Sequence, residues 1–174
     1  MTREDSYTET AERFGAIAQK YCDIVDSSAN FEKTELLAQI YQALPLLIDA
    51  AIRLPCADSS EDDGENKLDL GSPAASPARM SDSAWSRLYQ SLKEKLGDAD
   101  LYWTVFDSVK DNQAINGSLA DDIADIYRDL KSGLALKEKI SSQNAIWEWR
   151  VGFDSHWGDH AMSALKTIHD IRNA

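Results

Sequence analysis

The chain has 174 residues, 43% of them hydrophobic, with 30 acidic against 18 basic side chains and a formal net charge of -12. That length and apolar content suffice for one domain with a real core, while the charge repels nucleic-acid phosphates and anionic lipid headgroups. Cys22 and Cys56 are the only cysteines and no C-x-x-C spacing occurs, which excludes a disulfide-stapled mini-domain and a zinc ribbon.

The first residues, Met1 to Tyr7, lack an apolar signal core, and the most apolar stretch, Leu44 to Ile52, is short and carries Asp49. The expectation is a cytoplasmic protein that binds neither membrane nor nucleic acid. A homodimer through an aromatic helix face, or a basic protein partner, fits the composition.

Phe14, Ile17, Ala18, Tyr21, Ile24 and Val25 recur at helical spacing and predict a first helix from about Thr8 to Asp26. A second is predicted after Asn30, read as its cap, through Leu36, Leu37, Ile40, Tyr41, Leu44, Leu47 and Ile48 to Arg53. Pro45 inside it predicts a kink near Tyr41 or a break. Residues 56–81 then turn acidic and rich in Ser, Gly and Pro, too poor in apolar side chains to offset the entropy of ordering, and read as a flexible low-complexity loop.

Ser81 or Asp82 caps a third helix through Trp85, Leu88, Tyr89, Leu92 and Leu96, stopped by Gly97. The run Asp100 to Asp107 has strand-like composition but no second strand-like run to pair with, and reads as a short helix or irregular packed segment. Ser118 with Asp121 opens a fourth helix to about Lys139, whose apolar stripe is Leu119, Ile123, Ile126, Leu130 and Leu134. A fifth runs from about Ser142 to Ile171 and, lacking a clean polar face, reads as central and largely enclosed. The fold class is all-α: a single-domain antiparallel bundle of about five main helices spanning 1–174. Trp85, Trp103, Trp149, Phe153 and Trp157 are expected to supply much of its core.

The densest chemical constellation is Trp147 to His160, where His156 and His160 stand one helical turn apart among three of the five tryptophans. Side chains four residues apart on a helix lie roughly 5–6 Å from each other, so the two imidazoles can share a ligand. On the fourth helix, Asp121, Asp125 and Asp129 follow at four-residue steps, with Asp122 nearer the apolar stripe. A solvated acidic face is the plainer reading for Asp121 and Asp129, whereas Asp122 and Asp125 are equally suited to meet the histidines. The candidate pocket is therefore His156, His160, Asp122, Asp125 and Trp157. Two chemistries compete for it: a buried polar lock in which aspartates satisfy the imidazoles, and a divalent metal held by His156, His160, Asp122 and Asp125. The lock carries more weight, because no Glu-x-x-His repeat and no His-Glu-x-x-His occurs, and no cofactor is expected apart from that metal. Gly152 and Gly158 imply close approach of another backbone or a ligand. Cys22 reads as a packed small residue and His169 as a solvent-facing cation near the helix end.

Glu32-x-x-Glu35 with Asp122-x-x-Asp125 resembles the paired acidic motifs of all-α nucleoside triphosphate pyrophosphatases, although Glu32 and Glu35 are also what a first helical turn favours. Ser118-Leu-Ala-Asp-Asp-Ile-Ala-Asp-Ile-Tyr-Arg-Asp-Leu-Lys131 and Trp149-Arg-x-x-Phe-x-x-His-Trp-Gly-x-His160, with Asn30 to Leu37 and Trp103-x-x-Phe-Asp107, resemble a bacterial family catalogued as a domain of unknown function. The resemblance spans most of the chain outside 56–81. It implies an all-helical fold and a bacterial source, and carries no catalytic residues. The expected function is a non-enzymatic interaction or structural role, with a metal-binding protein or metal-dependent hydrolase as the alternative.

Overall fold

The computed structural model describes residues 3–55, 79–105, 109–110 and 112–174. Its elements are α1 (Arg3–Asp26), α2 (Lys33–Ile52), α3 (Asp82–Leu96), β1 (Leu101–Val105), β2 (Ala114–Ser118), α4 (Leu119–Lys139), α5 (Ser142–Gly152) and α6 (Gly158–Asn173). One π-helical turn, Phe153–Trp157, joins α5 to α6, so the predicted fifth helix is one long element with a wide turn in its middle. Helix α4 lies at the centre and packs on α1, α3, α5 and α6.

The predicted helix starts at Ser81 and Ser118 are present as caps: Ser81 Oγ accepts from the Ala84 amide and Ser118 Oγ from the Asp121 amide, both at 3.3 Å. Such bonds satisfy amides that a first helical turn leaves free. Gly97 ends α3 at φ 58°, a conformation that a Cβ disfavours. Asn30 does not cap α2. It lies in a 3-10 turn (Ser28–Asn30), and Glu32 occupies the cap position without a side-chain bond. Nor does Pro45 divide α2, which runs unbroken from Lys33 to Ile52. This helix is long and apolar enough to cross a membrane, but Leu36, Leu37, Ile40, Leu44, Leu47, Ile48 and Ala51 are buried within the bundle.

Leu101–Val105 is a strand, contrary to its reading as a helix or irregular segment. It pairs antiparallel with Ala114–Ser118, Leu101 opposite Ser118 and Trp103 opposite Asn116. The partner, Ala-Ile-Asn-Gly-Ser, has little β propensity of its own, so its pairing rests on tertiary context. Asp100 anchors the hairpin to α4: one carboxylate oxygen accepts from Ser118 Oγ and from the Ala120 amide, both at 2.8 Å. Trp103 consequently points outward at 74% exposure and is not a core residue.

The aromatic centre of the core is Trp149, Trp157 and Phe14, while Trp85 and Phe153 are half-buried against it. Phe14 lies 4.7 Å from Trp149 and 6.4 Å from Trp157, centroid to centroid. Both indoles are satisfied: Trp149 Nε1 donates to the Leu130 carbonyl at 3.2 Å and Trp157 Nε1 to the Trp149 carbonyl at 3.1 Å. Gly133 makes room for the first contact, since a Cβ there would lie 2.1 Å from Trp149 Nε1. Residues 56–78, most of the predicted low-complexity loop, lie outside the described residues. Its end is fixed: Arg79 pairs with Asp129, Met80 packs on the core and Ser81 caps α3.

Candidate metal centre

Four side chains of α4 form a buried polar seam at Asp122, Asp125, Asp129 and Ser132. Steps of three and four residues keep them on one side of the helix. The seam faces the α5–α6 element, whose π turn holds His156 and whose α6 holds His160. A π turn widens the helix by one residue, a distortion that recurs at functional sites. Gly158 permits it, because a Cβ would lie 2.2 Å from the Phe153 carbonyl oxygen, and Gly152 lies against the Trp157 indole. The close approach expected at these glycines is thus made by the helix's own turn.

Each imidazole is held through Nδ1. His156 Nδ1 lies 2.7 Å from Asp129 Oδ2, and His160 Nδ1 2.8 Å from Asp122 Oδ1. The other oxygen of each carboxylate also receives a donor, Arg79 Nη1 on Asp129 Oδ1 at 3.2 Å and the Tyr102 hydroxyl on Asp122 Oδ2 at 2.7 Å. Arg79 and Tyr102 donate to one oxygen of each carboxylate, and the tautomer that matches the remaining oxygens has the hydrogen of each ring on Nδ1. Each ring is left with its Nε2. These two atoms lie 3.8 Å (His156) and 3.5 Å (His160) from the same oxygen, Asp125 Oδ2, too far for hydrogen bonds. The rings stand edge to face with centroids 4.9 Å apart.

That arrangement fits a metal. One ligand atom from each of Asp125, His156 and His160 lies within 4.8 Å of the others. Ligands about 2.0–2.2 Å from a tetrahedral ion stand about 3.3–3.6 Å from one another, close to the Nε2–Oδ2 separations here. Metal-binding histidines usually donate the other ring nitrogen's hydrogen to a carboxylate, the role of Asp129 and Asp122. A second group, Asp121, Asp122 and His160, is also close enough for a metal, but both Asp122 oxygens and His160 Nδ1 are already engaged in hydrogen bonds. Arg128 forms an ion pair with Asp125, and the site opens to solvent on the side of His156, which is 39% exposed against 23% for His160.

Burial disfavours charge on His160, but its bond to Asp122 and the nearby charges of Asp122, Asp125 and Asp121 outweigh it and hold the imidazole pKa above its ordinary value. Burial also pushes up Asp121, with Asp125 adding repulsion. About two turns before His156, Glu148 accepts from Ser132 Oγ at 2.7 Å. Burial raises the Glu148 carboxyl to about 7; the Ser132 bond and Arg79 oppose the shift and Asp129 adds to it.

A family model described as "Domain of unknown function (DUF5063)" matches residues 5–174. The chain belongs to this family. The membership agrees with the resemblance read from the α4 and α6 motifs, and DUF5063 brings no assigned activity with it. No curated protein matches the chain. Among solved structures, protein BF1032 from Bacteroides fragilis is similar at a TM-score of 0.70 and 19% identity, over 91% of this chain and 89% of that one. At that identity the likeness concerns the fold.

Within this DUF5063 domain, the fold brings His156, His160, Asp122 and Asp125 near one another, with Asp122 bonded to the His160 ring. Trp157, the last residue of the π turn, is fully buried in the core. Asp129 is buried and paired, so its reading as a solvated acid is corrected; Asp121 is half-buried. Glu32 and Glu35 are exposed in and beside the first turn of α2, and His169 is exposed, its Nδ1 3.0 Å from the Tyr41 hydroxyl. Sequence reasoning missed Arg79, Tyr102, Ser132 and Glu148. The signal available for Asp129 and Ser132 was their step of four and seven residues from Asp125.

Proposed function

We propose that this domain binds one divalent transition metal through Asp125 Oδ2, His156 Nε2 and His160 Nε2. The observation that carries the reading is that both Nδ1 atoms are committed to carboxylates while both Nε2 atoms converge, unbonded, on one oxygen of a third. Two imidazoles and a carboxylate suit zinc, iron, manganese or nickel, and three protein ligands leave a coordination position for water or substrate. Such an ion, when bound, acidifies water and polarises a carbonyl or phosphoryl oxygen, the chemistry of a hydrolase. The residues around it orient and shield: Asp122 and Asp129 fix the rings, Tyr102 and Arg79 fix those aspartates, and Arg128 fixes Asp125.

Titration of chelator-treated protein with Co2+, followed by visible absorption, tests this. The expected result is saturation at one equivalent with a band typical of low coordination number, lost in Asp125→Ala and His160→Ala variants that keep their helical circular dichroism. An unchanged band in both variants would overturn it.

A second reading is favoured by the His160–Asp122–Tyr102 contacts, which join α6, α4 and β1. In it the same residues are a polar lock in a non-enzymatic interaction or structural protein, and no metal saturates the site. A basic protein partner for a chain of net charge -12, and a cytoplasmic, membrane-free setting, belong to the proposal in either case.

A further inference from the structure

Beside the ligands stand two buried donors that no other described residue satisfies. Trp85 Nε1, on α3, is buried without an acceptor, in contrast to the satisfied indoles of Trp149 and Trp157. Arg128 reaches Asp125 through Nη2, but its Nε is likewise buried and unpartnered. The two belong together: the Arg128 guanidinium carbon lies 5.4 Å from the centroid of the Trp85 ring. Leaving a buried donor without an acceptor costs about 1–3 kcal/mol, so a neighbouring pair of them calls for an acceptor brought from outside. Arginine's planar fork matches carboxylate and phosphate oxygens, and an indole N–H donates without being able to accept.

We propose that Trp85 and Arg128 form an oxyanion subsite of the metal centre, taking a phosphate or carboxylate group that presents further oxygen to the ion. The inference rests on the metal reading of Asp125, His156 and His160. Charge makes the two binding events ordered. Four carboxyl groups, Asp121, Asp122, Asp125 and Asp129, face two guanidiniums, Arg79 and Arg128, so acidic groups outnumber basic side chains of fixed charge around the site. A divalent cation offsets that acidic excess, so an anion meets less repulsion once the ion is bound. The shelf beside Arg128 is aromatic, with Trp85 and Tyr89 stacked at 5.3 Å and 4°, so the group that carries the oxyanion has a flat apolar wall next to it.

The experiment is calorimetric and spectroscopic titration of inorganic phosphate, and separately of acetate, into the full chain with and without Co2+. Phosphate is expected to bind the Co2+-loaded protein and shift its visible band, and to leave the metal-free protein untouched. Trp85→Phe keeps the ring and removes the donor; it is expected to weaken phosphate about tenfold while Co2+ affinity stays unchanged. Arg128→Lys, which keeps the charge and loses Nε, is expected to weaken it at least as much. Acetate binding as tightly as phosphate, with the same response to Trp85→Phe, assigns a carboxylate ligand to the same subsite. Unchanged anion affinity in Trp85→Phe, or no anion binding to a protein that does hold Co2+, overturns the subsite alone. Failure of the wild-type chain to hold Co2+ overturns the metal reading, and the subsite with it.

Discussion

At the scale of single residues, carboxylate placement governs the chemistry. Asp122 and Asp129 each engage both oxygens in hydrogen bonds, whereas Glu148 has one bond and a second buried oxygen, Oε2, with no partner among the described residues. A carboxyl so placed retains its proton, which is why burial carries Glu148 to about 7. In the unfolded chain it ionises near the ordinary glutamate value. Between those two values the folded state holds the extra proton, so stability falls as pH rises from about 4.5 towards 7 and levels off above. The full effect is about 3 kcal/mol. Glu148→Gln, which still accepts from Ser132, is expected to raise the urea midpoint at pH 8 and to flatten the difference from wild type at pH 5. An equal midpoint shift at both pH values would contradict this account.

At the scale of elements, the helices were legible because their signals are local. The serines at 81 and 118, the glycine at 97 and the apolar stripe of α4 carry their meaning within a turn or two. The β1–β2 pair was not, because Ala114 to Ser118 becomes a strand by meeting Leu101–Val105 and by the Asp100 anchor beneath it, neither visible in five residues. The π turn was hidden for a similar reason: Gly152 and Gly158 marked a close approach, but its partner is the Phe153 carbonyl and the Trp157 ring within the same helix. The site was half legible. Histidines four apart and aspartates three and four apart predict that they meet; which nitrogen meets which oxygen depends on the π turn and on Tyr102 and Arg79, brought from distant sequence. Packing of α4 on α5 makes its own prediction. Gly133→Ala would drive a Cβ into the Trp149 indole and displace its bond to the Leu130 carbonyl. Destabilisation of about 1–3 kcal/mol is expected from chemical denaturation, and a neutral effect would show that this contact is looser than described.

At the scale of the whole molecule, the seam lies where the most elements converge. α4 supplies Asp122, Asp125 and Asp129, the α5–α6 element the histidines and Glu148, the hairpin Tyr102, and the segment before α3 Arg79. The acidic chain gathers buried carboxylates and two half-buried imidazoles beside Trp149, Trp157 and the α4 stripe, and under the proposed reading a bound metal would offset the cost of burying them. The DUF5063 fold, shared with the Bacteroides fragilis structure, provides that convergence. The direct test is elemental analysis of the full chain purified without chelator, beside His160→Ala prepared in parallel. The account predicts about one equivalent of a single divalent transition metal in the wild type and its loss in the variant; substoichiometric metal that is the same in both would contradict it.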